Sequence, residues 1–81
     1  MAIELERLRA MDPALRRRVL RAAARQVGCR IGFEETRRLL ALAGLEPDPT
    51  VPTRPGAVLP LADRLTAERS VREIRLYRRE P

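Results

Sequence analysis

The segment LEPDPTVPTRPG, residues 45–56, places four prolines within 12 residues. Proline has no backbone N–H and its ring clashes with the preceding helical turn, so this stretch cannot be helical. It divides the 81-residue chain into two parts with different hydrophobic periods. We therefore expect one small domain over 1–81, with a helical part at 1–44, the proline-rich connector at 45–56, and a β part at 57–81.

Before the connector, apolar residues recur at helical spacing and predict three helices, at about 2–10, 13–27 and 33–43. The second helix is the best defined, because Asp12 is a good N-cap, Pro13 suits the first helical position and Gly28 is typical of the residue after a helix. Its predicted buried stripe comprises Leu15, Val19, Leu20, Ala23 and Val27. The predicted buried side of the third helix comprises Thr36, Leu39, Leu40 and Ala43, with Phe33 at its start.

After the connector, apolar and polar residues alternate and predict short strands at about 57–61, 64–70 and 73–79. Leu65 with Ala67, and Ile74 with Leu76, would lie on the inner face. The turn at SVRE lacks the Asn-Gly typical of tight hairpins, but its position still favours one. Helices followed by a small antiparallel sheet predict an α+β fold.

The residue types of the chain limit the chemistry available to it. Histidine is absent and Cys29 is the only cysteine, so the chain offers no imidazole base, internal disulfide or zinc cluster. Cys29 follows Gly28, where we expect a small buried apolar residue, and the reduced thiol favours a cytoplasmic setting. Glu34 and Glu35, the only adjacent carboxylates, would point about 100° apart on a helix. No catalytic residue, metal site or cofactor is therefore predicted in this chain.

The positive charge is concentrated in one segment. Residues 13–38 contain eight arginines and two glutamates, which accounts for the whole net charge of +6. Arg17, Arg18, Arg21 and Arg25 fall within an arc of about 100° on the second helix, with no acid among them. A solvated helix face is one interpretation. Like charges at this spacing repel, however, so an anionic partner such as nucleic-acid phosphate is the favoured one.

Other arginines and one aromatic residue each allow two interpretations. Arg16 projects near the centre of the apolar arc, where it would pair with Asp12 or another acid, or else reach a ligand. Arg37 and Arg38 would pair with Glu34 or contact phosphate, and Tyr77 would pack in the sheet or stack on a base. The candidate nucleic-acid-binding residues are Arg16, Arg17, Arg18, Arg21, Arg25, Arg37, Arg38 and Tyr77.

Three stretches in this order, LRRRVLRAA, FEETRRLLAL and PGAVLPLADRLTAERSVREIRLYR, resemble the region that follows the catalytic domain of tRNA(Ile)-lysidine synthases. Arg16, Arg17 and Arg21 match the basic motif of that family. The segment RPGAVLP departs from it, with one glycine where two are usual. The family's catalytic domain carries an SGGxDS phosphate-binding loop, and this sequence has none.

The resemblance implies a non-catalytic domain that recognises tRNA. A catalytic domain outside this chain would use ATP and magnesium to join lysine to the wobble cytidine of an isoleucine tRNA anticodon. Two other functions stay open at this point. One is a winged helix-turn-helix that binds DNA, although Glu34 and Glu35 would then face the phosphates. The other is a protein-interaction module with an exposed patch of Leu5, Leu8 and Met11.

Overall fold

Three helices and four strands make up the fold in a computed structural model, which describes residues 1–79. In chain order they are β1 Ala2–Glu4, α1 Leu5–Ala10, α2 Pro13–Gln26, α3 Phe33–Leu42, β2 Val58–Pro60, β3 Leu65–Arg69 and β4 Glu73–Arg78. A short 3-10 turn, Ala62–Arg64, precedes β3. The predicted α+β class is confirmed; the last two residues of the predicted β part, 80 and 81, lie outside the described residues.

The first predicted helix is wrong over residues 2–4, which form an edge strand. β1 pairs antiparallel with β4, where Ile3 lies opposite Ile74. The Leu76 N–H donates to the Met1 carbonyl at 2.7 Å, and the Leu5 N–H donates to the Arg72 carbonyl at 2.8 Å. These main-chain bonds to a distant strand override the local helical period, so α1 begins only at Leu5.

The four strands form one antiparallel sheet in the order β1-β4-β3-β2. β3 and β4 form the predicted hairpin, with Ala67 opposite Leu76. Its turn uses a serine in place of glycine, because Ser70 Oγ accepts from the N–H groups of Arg72 at 3.3 Å and Glu73 at 3.1 Å. This side-chain turn explains how the hairpin closes without an Asn-Gly pair.

The helices cover one face of the sheet, and the two layers share a core without aromatic residues. Its largest fully buried side chains include Leu8, Leu20, Leu39, Leu42, Leu65, Ile74 and Leu76. The predicted stripe of α3 is buried as expected, except that Phe33 is 63% exposed. Leu15 is 41% exposed, contrary to prediction, and the two residues before it in α2, Pro13 and Ala14, are exposed as well.

α1 packs into this core as well. Leu5 and Leu8 are buried and Met11 packs against the core, so the exposed patch required by the protein-interaction hypothesis is not formed. Within residues 1–79, no helix has the length and apolar character needed to cross a membrane.

Candidate nucleic-acid interface

Helix α2 carries the basic surface, and local capping sets its limits. The Asp12 carboxylate accepts from the Leu15 N–H at 3.0 Å, and Pro13 occupies the first helical position. Gly28, with φ of +83°, follows the helix in the left-handed conformation that glycine adopts without strain. Leu20 and Ala23 face the core, so the arginines of the other side project toward solvent.

Four arginines of α2, which we call the α2 arginine face, have no side-chain acceptor among residues 1–79. They are Arg17, Arg18, Arg21 and Arg25. None forms an ion pair or a side-chain hydrogen bond with any other residue in the 1–79 range. A guanidinium presents five N–H donors, so this face offers a dense array of unused donors and positive charge.

Two shallow depressions lie along this face. Arg18, Arg21, Ala22 and Arg25 line one of about 250 Å³. Arg21, Arg25, Arg30 and Ile31 line a second of about 240 Å³. Because both share Arg21 and Arg25, the depressions form one basic strip that runs past the end of the helix.

Arg30 joins the strip although it lies outside α2, because the loop that carries it is anchored to the 3-10 turn before β3. The Arg30 N–H donates to Asp63 Oδ2 at 2.9 Å, and Cys29 Sγ donates to the Asp63 carbonyl at 3.2 Å. Burial raises the pKa of the Cys29 thiol, which keeps it a protonated donor. Asp63 and Arg64 adopt left-handed φ values of 59° and 63°, a costly conformation for residues with side chains.

Arg16 points away from the strip and binds α1. Its Nε donates to the Leu8 carbonyl at 3.0 Å, and one terminal nitrogen donates to the Arg9 carbonyl at 2.7 Å. The final carbonyls of a helix lack partners within it. Arg16 therefore provides a donor for the Arg9 carbonyl and a second donor for the Leu8 carbonyl, which also accepts from the Met11 N–H at 3.2 Å. Arg16 thus bonds main-chain carbonyls, whereas the sequence suggested an acidic partner such as Asp12.

Arg37 is occupied by two carboxylates. Its Nε and one terminal nitrogen donate to the two oxygens of Glu34, each at 3.0 Å, and the same terminal nitrogen lies 3.3 Å from Asp48 Oδ2. The hydrogen bond from Arg37 lowers the pKa of Glu34. The pKa of Asp48 is also lowered, mainly by hydrogen bonds from Thr50 and to a smaller extent by Arg37. Arg38 is half-buried and has no side-chain partner among residues 1–79.

Tyr77 lies on the outer face of the sheet. It alternates with the buried Leu76 along β4, so it points away from the helices. Its hydroxyl donates to Glu68 Oε1 at 2.8 Å, and this bond raises the pKa of Tyr77. The structure therefore does not bring Tyr77 to the α2 arginine face.

Sequence reasoning missed two residues at this surface. Arg30 lies between two glycines, where helical periodicity cannot place it. The sequence places Phe33 at the start of the apolar side of α3, and its side chain is 63% exposed. Its position at the first residue of the helix was the one available signal, since first turns project beyond the core at α2 as well.

Comparison with known families agrees with this architecture. Residues 4–79 match the family model described as the TilS substrate binding domain. The chain belongs to this family. The match spans α1 to β4 and includes all of α2, so the TilS substrate binding domain family covers the whole basic strip. It confirms the resemblance to tRNA(Ile)-lysidine synthases. Comparisons with curated proteins and with solved structures give no significant match.

Proposed function

We propose that this chain is a non-catalytic domain that binds tRNA phosphates through the α2 arginine face and Arg30. The observation that carries the proposal is that Arg18, Arg21, Arg25 and Arg30 line one strip. These four and Arg17 lack side-chain partners within the described part of the chain. Membership of the TilS substrate binding domain family makes tRNA the favoured anion.

Electrostatics explain why such a strip would bind a polyanion. Arginines one turn apart repel one another by a few tenths of a kcal/mol, and no acid on α2 offsets this. RNA phosphates would remove that repulsion and release condensed counterions, which makes binding salt-dependent. The planar guanidinium also donates two parallel hydrogen bonds to one phosphate.

The other candidate residues take different roles in this proposal. Arg38 is proposed as an additional phosphate contact at the edge of the surface. Arg16, Arg37 and Tyr77 already donate to carbonyl or carboxylate oxygens within the domain. We therefore assign these three to holding the fold rather than to binding RNA.

Catalysis would belong to a separate domain. The proposed parent reaction is the ATP-dependent ligation of lysine to the wobble cytidine of an isoleucine tRNA, with ATP and magnesium in that catalytic domain. This chain would hold the tRNA while the reaction proceeds. We expect it to act in the cytoplasm, where tRNA is found.

A titration of the 81-residue chain tests the proposal. The ligands are an isoleucine tRNA with a CAU anticodon, an unrelated tRNA and a duplex DNA, each at two salt concentrations. The test variant is Arg21→Ala/Arg25→Ala. The matched control is Arg54→Ala/Arg72→Ala, which removes two exposed arginines from loops outside α2 and changes the net charge equally.

We expect tRNA to bind best, with an affinity that falls as salt rises and with a loss in the test variant but not in the control. Removing two phosphate contacts should reduce the slope of log affinity against log salt by about 1.5. Preference for the CAU anticodon would extend the proposal to the lysidine reaction. Tighter binding of duplex DNA would favour the winged helix-turn-helix, and equal losses in both variants would show that only total charge matters.

A further inference from the structure

One exposed aromatic residue follows the basic strip closely in sequence. Phe33 is the first residue of α3 and its side chain is 63% exposed. The core of the domain contains no aromatic side chain. The one other aromatic residue of the sequence, Tyr77, is on the outer face of the sheet and hydrogen-bonded to Glu68. Phe33 is therefore the aromatic group of the helical layer, and its ring is available to solvent.

Chain geometry keeps Phe33 close to the strip. Ile31 lines the depression that contains Arg21, Arg25 and Arg30, and Phe33 follows two residues later. Consecutive Cα atoms are about 3.8 Å apart, so the Cα atoms of Ile31 and Phe33 are separated by at most about 7.6 Å. Phe33 is thus placed in the chain next to a residue that lines the depression.

The acidic residues next to Phe33 are already engaged. Glu34 accepts both hydrogen bonds of the Arg37 fork, and Glu35 accepts from the Gly32 N–H at 3.0 Å. Their charge is partly compensated within α3 and its N-terminus. The repulsion that these two acids would exert on an approaching phosphate is correspondingly reduced.

We propose that Phe33 stacks on an unpaired RNA base whose phosphate lies at Arg21, Arg25 and Arg30. This rests on the proposed function and specifies the kind of RNA that the surface recognises. Stacking on a side chain needs an open base face, which loops and single strands offer and a duplex covers with neighbouring bases. An aromatic ring beside cationic groups is the usual design for single-stranded nucleic acid. The strip therefore selects unpaired nucleotides.

Fluorescence titration of the 81-residue chain with short RNAs tests this inference. One probe is a single-stranded RNA that carries 2-aminopurine, whose emission is quenched on stacking. The second is an RNA of the same length and charge that lacks bases, and the third is an RNA duplex. The variants are Phe33→Leu, Phe33→Trp and, as the aromatic control, Tyr77→Leu; circular dichroism verifies that each is folded.

We expect the unaltered chain to prefer the base-containing strand over the abasic strand by at least about fivefold. Phe33→Leu should abolish both the preference and the quenching, Phe33→Trp should retain them, and Tyr77→Leu should leave them unchanged. A preference that survives in Phe33→Leu would overturn the stacking role and leave phosphate binding intact, which points to a protein contact for Phe33. If the unaltered chain binds none of the RNAs, including intact tRNA, both the proposed function and this inference fail.

Discussion

The α2 arginine face differs from Arg69 and Arg79, which lie in or next to the sheet, in what the guanidinium groups contact. At the sheet, Arg79 donates to the Leu65 carbonyl at 3.1 Å, the Leu61 carbonyl at 3.1 Å and Thr66 Oγ1 at 2.9 Å. Arg69 donates to the Leu42 carbonyl at the end of α3, at 2.9 Å. The α2 arginine face has no such acceptor within residues 1–79.

This difference shows that one residue type performs two tasks in a domain without lysine. Where the chain brings carbonyls within reach, the five donors of a guanidinium hold separate segments together. Where it brings none, the same group must be solvated by water or bind an external anion. Arginine count alone therefore does not indicate a binding surface, whereas several unused donors clustered on one helix face favour one.

Charge reversal on α2 should produce the largest effect. Arg18→Glu/Arg21→Glu replaces two guanidinium groups that have no partner among residues 1–79 with carboxylates. We expect tRNA affinity to fall by at least about 100-fold while the melting temperature changes little. Equilibrium titration and thermal denaturation measure the two quantities. The control Arg54→Glu/Arg72→Glu has the same net charge. A comparable loss of affinity in that control would show that net charge, and not the position of the arginines on α2, determines binding.

Arg79→Met should affect stability instead of binding. The substitution keeps much of the aliphatic stem but removes three hydrogen bonds from a charged donor, and we expect the free energy of unfolding to fall by about 2 kcal/mol. Urea denaturation measures this change. tRNA affinity, determined well below the melting temperature, should stay within about twofold of the unaltered chain. Unchanged stability together with weaker binding would place Arg79 among the RNA contacts.

Adjacent residues Arg16 and Arg17 sharpen the comparison within one helix. Arg16→Ala removes the Arg16 hydrogen bonds to the Leu8 and Arg9 carbonyls, while the Met11 N–H still donates to Leu8, and should lower the free energy of unfolding by about 1 kcal/mol. Arg17→Ala should change it by less than about 0.5 kcal/mol and should weaken tRNA binding instead. Chemical denaturation and RNA titration of both variants provide the measurement. The reverse pattern would show that the two roles had been exchanged.

The smallest expected effect concerns Arg37 and its carboxylates. The folded state lowers the pKa of Glu34 and of Asp48, so their contribution to stability is present above the unfolded-state pKa values and is lost as the pH falls. Between about pH 6 and pH 3, Arg37→Gln should therefore show a flatter decline in melting temperature than the unaltered chain. If the melting temperatures of the two proteins fall in parallel with pH, solvent screens these exposed ion pairs completely.

Local sequence signals predicted much of the fold. Asp12, Pro13 and Gly28 set the limits of α2 to within one residue, because caps and proline act within a single turn. Alternation predicted β3 and β4 equally well, since residues that face a shared core must recur with a period of two. The α2 arginine face was likewise readable from helical spacing alone.

Tertiary structure decided which groups are free and which are occupied. Pairing with β4 made residues 2–4 a strand, and Arg16 found its acceptors in a different helix. Asp63, 33 residues away in sequence, holds the loop that adds Arg30 to the strip. Helix caps and hydrophobic periodicity involve residues that are at most a few positions apart, so both can be recognised in the sequence. Whether a donor meets an acceptor, or a phenyl ring meets a core, depends on segments that only folding brings together.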